Sequence, residues 1–157
     1  MCLYINGSRH QRDCFYPANK CKYKPLIADR PLLVKKRVRL NDNGEYKSPY
    51  QHTKIKFRVA LSTELDTSAS SVDAGFHCYL YSAGSSDWSE RPTLCGRSIV
   101  TIYGVIPLGA EYYIGDNKEV VTDQIMYFEC QKAVADYYGI TLDRLLSTPS
   151  YEPTKNG

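Results

Sequence analysis

Three histidines (His10, His52, His77) and six cysteines (Cys2, Cys14, Cys21, Cys78, Cys95, Cys130) carry the groups that ligate metals or act as nucleophile and base. Their spacing speaks against both chemistries. The cysteines lie 12, 7, 57, 17 and 35 residues apart, so no Cys-x₂-Cys pair of the kind structural zinc uses is present. Only a convergence of Cys2, His10, Cys14 and Cys21 in space would make a metal set. No His-x₃-His or His-Glu-x-x-His pair supports a catalytic zinc. His77 and Cys78 are neighbours in an expected strand and point to opposite faces, so they do not form a base–nucleophile pair. The chain has no Gly-x-Ser-x-Gly elbow and no phosphate-binding glycine loop. These absences lead to an expectation of buried free thiols, no metal and no cofactor.

Charge is the stronger signal. Residues 1–58 hold 14 Lys/Arg against 4 Asp/Glu, net +10; residues 59–157 hold 6 against 13, net −7; together they give the +3 of the whole chain. Lys54, Lys56 and Arg58 alternate with Ile55, Phe57 and Val59, and Lys35, Arg37 and Arg39 fall at every second position of another β-rich run. Period two puts each basic triplet on the wet face of a strand. Two such strands side by side would make a basic ladder fit for phosphates or an acidic patch, and these six residues are the candidate binding set. The competing expectation is a solvated face, or one neutralised by the acidic second half.

The elements that must position these residues follow from β-branched and aromatic runs broken by turn residues. Strands are expected at Cys2–Ile5, Leu32–Leu40, Lys54–Leu61, Ala74–Tyr81, Ser98–Ile106, Ala110–Ile114 and Glu119–Glu129. Asn41–Gly44 is a turn, because Asn and Gly tolerate positive φ; Glu45–Gln51 is a loop or edge strand. Leu26–Ala28 could open a short helix, Ser62–Asp73 is a polar loop, and Ser82–Arg91 is a loop able to hold a short helix. The period then changes: Glu129–Tyr138 is expected as a helix with Ala133, Val134 and Tyr137 on one face and Gly139 as its stop, followed by a second at Leu142–Leu146. The expected fold is α+β, a mostly antiparallel β-sheet of about five to seven strands with one or two C-terminal helices. It forms a single domain over 1–157, with an irregular basic N-terminal segment at 1–30 and a flexible tail at 147–157.

The hydrophobic fraction of 43% with 24% charged residues is that of a globular protein, and no apolar run of about 18 residues is present to span a membrane. The N-terminus lacks the layout of a signal peptide, which implies a cytoplasmic protein with reduced cysteines. Fourteen tyrosines against four Phe and one Trp suit half-buried strand faces and binding surfaces alike.

Three resemblances add to this reading. Met1–Tyr4, Leu32–Leu40, Ser48–Gln51, Gly75–His77, Ile106–Gly115 and Val121–Ile125 resemble a small domain of bacterial phages and mobile elements. That resemblance covers most of the chain and carries no catalytic residue over. It implies a mobile-element accessory protein; many of these block host defence, anti-CRISPR proteins among them. The expectation is a phage-encoded, non-enzymatic inhibitor in the host cytoplasm, its partner a bacterial defence protein, foremost a CRISPR effector, or its guide RNA. The second resemblance is shorter. Lys118–Ile125 looks like the strand of ADP-ribosyltransferases that holds their catalytic Glu, which would be Glu119, acting on the ribose in transfer from NAD. Arg37 and Ser62 come in the order of the arginine–serine–glutamate subclass, although the spacing departs from that pattern. This makes an NAD-dependent transferase, active or degenerate, the alternative. Ala135–Leu146 is also similar to the end of the repressor-type helix-turn-helix family, without its base-reading helix.

Overall fold

The two longest β-rich runs pair with each other and set the frame for the rest. The structure is a computed structural model; it describes residues 3–5, 10–12, 14, 23–48, 54–67, 71–81, 98–115 and 118–141. Within these, the strands in chain order are β1 (Leu3–Tyr4), β2 (Leu26–Ile27), β3 (Leu32–Leu40), β4 (Tyr46–Lys47), β5 (Leu61–Ser62), β6 (Asp66–Thr67), β7 (Ser71–Ala74), β8 (Phe76–Leu80), β9 (Ser98–Ile106), β10 (Glu111–Ile114), β11 (Glu119–Thr122) and β12 (Gln124–Phe128), followed by the helix α1 (Gln131–Tyr138). β3 and β9 fall at the bounds their β-branched content implies, and pair antiparallel without a break from Leu32↔Ile106 to Leu40↔Ser98.

On its other flank β3 pairs with β8, β8 with β11, β11 with β10 and β10 with β2; beyond β9 come β12 and then β5. The strands β11 and β12 are a single stretch bent at Asp123, yet they pair with β8 and β9 on opposite sides of β3. The sheet therefore curls until its flanks meet at that bend. Contact between the Phe76 and Tyr127 rings, with centroids 6.4 Å apart, spans the same closure from β8 to β12. The sequence reads Glu119–Glu129 as one run; the structure turns it because the corner's backbone groups find other partners. Asp123 N–H donates to Glu111 O (3.2 Å), its Oδ1 accepts from Glu111 N–H (3.0 Å), and its carbonyl accepts from Thr63 N–H (2.8 Å). Thr122 Oγ1 donates to Glu111 O (2.9 Å).

The alternation of β3 and β9 sorts side chains to the two faces of this curled wall. Val34, Val38, Ile102, Ile106, Cys78, Leu80, Val120, Ile125 and Tyr127 form the interior, all buried. Gly104 lies among them, where a Cβ would sit 3.1 Å from Ile125 Cδ1 and 3.2 Å from Val34 Cγ2. Two layers cover parts of the exterior. α1 lays Ala133, Val134 and Ala135 over Leu33, Val105 and Phe128. A three-stranded sheet, β1-β7-β6, lays Leu3 and Val72 over Tyr113 and Val121.

Several expectations need correction. The mostly antiparallel sheet and a C-terminal helix are present as expected, but among the described residues the helix is single and short, so the protein is largely β rather than clearly α+β. Leu26–Ile27 is a strand paired with Glu111 and Tyr112, not a helix start. Within 1–30, β1 lies inside the strand expected at Cys2–Ile5, and β2 is a strand that was not expected there. The polar stretch 62–73 is not one loop but contributes β6 and β7, and the run Ala74–Tyr81 is divided at Gly75, whose φ of +143° and close approach to Val121 and Leu65 leave no room for a side chain. The helix starts at Gln131 rather than Glu129 and ends at Gly139, where Gly139 N–H donates to Asp136 O and Ile140 N–H to Ala135 O. Tyr137, expected on its buried face, is exposed. The expected second helix at 142–146, the loop 82–91 and the tail 147–157 lie outside the described residues. No described helix is long and apolar enough to cross a membrane.

Candidate functional site

The basic residues are arranged by three short stretches of backbone. Asn41 organises the first: its Oδ1 accepts from Asn43 N–H (3.0 Å) and Glu45 N–H (2.9 Å), and Gly44 takes φ +77°. This tight turn folds β4 back on β3 with Arg39 opposite Lys47 and Leu40 opposite Tyr46. Lys47 in turn bridges to Lys54. Tyr46, Ile55 and Phe57 point inward onto the core, with the Tyr46 and Phe57 rings packed edge to face at 4.9 Å. Their alternate neighbours Lys47, Lys54 and Lys56 consequently point outward.

Lys35, Arg37 and Arg39 occupy the exterior of β3, opposite Tyr103, Thr101 and Ile99 of β9. The two expected basic triplets do not stand side by side: β4 lies between them and adds a basic residue, Lys47, that the sequence reading did not single out. The outcome is a grid. Arg39, Lys47 and Lys54 form a row across the strands at roughly 4.8 Å spacing, and Lys35, Arg37 and Arg39 form a column at roughly 6.6 Å spacing. Lys54 carries one counter-charge, Glu45 Oε2 at 3.5 Å, and Lys56 is exposed. Arg58 leaves the set. Its φ of +60° ends the alternation, so Val59 is 48% exposed rather than buried, and its guanidinium reaches Glu129 at 3.6 Å. The strand expected over Lys54–Leu61 is thus reduced to bridges at Lys54 and Phe57 and the two residues of β5.

Aromatic rings border the column. Lys35 Nζ lies 5.9 Å over the Tyr81 ring, and the Tyr81 and Tyr103 rings are 6.2 Å apart. Gln131 Nε2, in the first turn of α1, donates to Tyr81 Oη at 3.0 Å and fixes that ring. Burial, followed by the neighbouring Tyr81 and Cys130, holds the Tyr103 hydroxyl above its ordinary range, so it stays protonated.

The residues of the transferase alternative are placed on one long path. Glu119 on β11 is opposite Tyr79, which is opposite Lys35 on β3, so Glu119 and Arg37 belong to neighbouring parts of one exterior face. Ser62 pairs with Gln124, past the bend at Asp123 and on the opposite flank of the sheet, so it is not brought beside Glu119. Glu119 instead meets His77, with Oε1 3.8 Å from Nδ1 and both side chains largely buried. That is too long for a hydrogen bond, and among the described residues Glu119 Oε1 and both ring nitrogens of His77 have no hydrogen-bond partner. Behind them, Lys36 turns inward and its Nζ donates to His77 O at 2.6 Å. Cys78 lies in the interior; burial above all pushes its thiol up to about 12, with Lys36 acting in the opposite direction.

His10 is committed to structure: Nε2 lies 3.3 Å from both the N–H and the carbonyl oxygen of Ile114, and Nδ1 lies 3.2 Å from Lys24 O. Among the described residues no three His, Cys, Asp or Glu side chains group as a metal site. His52, Cys2, Cys21 and Cys95 lie outside them. The chain matches no known family model, no curated protein and no solved structure.

Proposed function

We propose that this chain is a non-enzymatic binding protein of phage origin that inhibits a bacterial defence system by holding a CRISPR effector or its guide RNA. One observation supports the binding half of that reading: Lys35, Arg37, Arg39, Lys47, Lys54 and Lys56 gather on one exterior face of the sheet as a grid of cations. Clustered cations on one face attract an anionic partner at long range and steer its approach. The resemblance to phage and mobile-element domains supports the choice of partner. The transferase alternative draws less support, because Ser62 and Glu119 stand on opposite sides of the bend.

A phage-survival assay tests the proposal. Bacteria with an active CRISPR system and expressing this chain should lose protection against a targeted phage. Protection should return when the chain carries Lys47→Glu, Lys54→Glu and Lys56→Glu together. Undiminished protection in the presence of the wild-type chain, across hosts carrying different CRISPR types, would end the reading.

A further inference from the structure

We infer that the basic exterior takes a single-stranded nucleic acid, with phosphates following Arg37, Arg39, Lys47, Lys54 and Lys56 and a base lying against Tyr103. This rests on the binding reading above and narrows its partner. Three observations carry it. The first is the shape of the support: β3, β4 and β9 belong to a sheet that curls round its own core, so their outer surface is convex. A stiff duplex meets a convex wall along a short line, whereas a flexible strand can follow it. Among the described residues the one helix, α1, packs over β9 and β12 rather than on the grid, so no described helix stands there to enter a groove. The second is the layout of the cations. They turn a corner, down the β3 column and then along the row from Arg39 through Lys47 to Lys54, which suits a chain that bends at each phosphate. The third is the position of the rings. Tyr103 is in register with Lys35 and two residues along from exposed Thr101, and Tyr81 beside it is tied to Gln131. Single-strand binders combine this same pair of features, a cationic track and fixed aromatic faces, because every base has a face to stack and a duplex hides it. Rings already held in place lose little freedom on binding.

Fluorescence anisotropy with a labelled mixed-sequence RNA oligonucleotide, single-stranded and as its blunt duplex, tests this across a salt titration. The single strand should bind more tightly than the duplex. Its log affinity should fall linearly with log salt, by about 0.7 per phosphate engaged. Tyr103→Leu should weaken the single strand roughly tenfold while Tyr103→Phe binds as the wild type does. Thr101→Glu, at an exposed position that does not threaten folding, should also weaken it, which keeps the test sound if Tyr103→Leu unfolds. Equal affinity for duplex and single strand, or indifference to both Tyr103→Leu and Thr101→Glu, overturns the inference and leaves the binding reading standing. Charge-dependent capture of an acidic protein with no RNA binding does the same. Failure to bind any anionic partner sinks both.

Discussion

The two faces of β3 are made of alternating residues of one nine-residue strand, and they do opposite things. Val34, Lys36 and Val38 face the closed interior; Lys35, Arg37 and Arg39 face outward. The inner face even absorbs a lysine, because Lys36 Nζ finds the carbonyl of His77 at 2.6 Å. A buried ammonium without such an acceptor would be costly. The outer face is looser: Lys35, Arg37 and Arg39 are each half-buried rather than enclosed. Identity of residue type therefore says little: Lys35 and Lys36 are adjacent, and only position in the pleat separates a core group from a candidate contact.

The largest effect should come from breaking the interior. Ile102→Ala on β9 removes a fully buried side chain and should cost about 2–5 kcal/mol in chemical denaturation. Thr101→Ala, one residue away on the outer face, should stay within about 0.5 kcal/mol. Gly104→Val comes next, at about 1–3 kcal/mol, since its added carbons must displace Ile125 and Val34. If these three changes had equal effects, the division into faces would be wrong.

A smaller effect separates the faces by pH. Cys78 is held in the interior with its thiol raised from 9.0 to about 12. Below about pH 9 the folded and unfolded chains both keep this proton, and its contribution to stability is fully present. Above that the unfolded chain releases it while the folded chain retains it, so the contribution is lost progressively as pH rises towards 12. Denaturation midpoints from about pH 8 to about pH 10.5 should therefore fall more steeply for the wild type than for Cys78→Ala. Parallel curves would remove Cys78 from the interior. The smallest effect belongs to the outer face: Lys56→Ala, at an exposed position, should leave stability within about 0.5 kcal/mol.

How far this was legible in the sequence depended on the range of the interactions that decide each feature. The strands β3 and β9, the Asn41–Gly44 turn and the Gly139 stop are set by neighbours in sequence, and they fall where residue types place them. The bend at Asp123 was not legible, because it depends on Glu111 and Thr63, which the fold brings from elsewhere. The alternation after Lys54 held through Phe57 and failed at Arg58, where a positive φ that Arg rarely adopts is held by Arg58 N–H donating to Tyr127 O and by the ion pair to Glu129. Within the candidate site, the outward direction of Lys35, Arg37 and Arg39 followed from period two alone. Lys47 was missed because a two-residue strand shows no period; the only signal was its place after a strong hairpin turn.

The central claim is that the outer grid is a binding surface and the inner face is scaffold. Affinity capture from bacteria carrying an active CRISPR system tests it most directly, with bound protein read by mass spectrometry and bound RNA by sequencing. The wild-type chain should recover a CRISPR effector or its guide RNA, and the Lys47→Glu, Lys54→Glu, Lys56→Glu chain should recover neither while melting within a few degrees of the wild type. Recovery of the same partners by both chains, or of no defence component by the wild type, would contradict it.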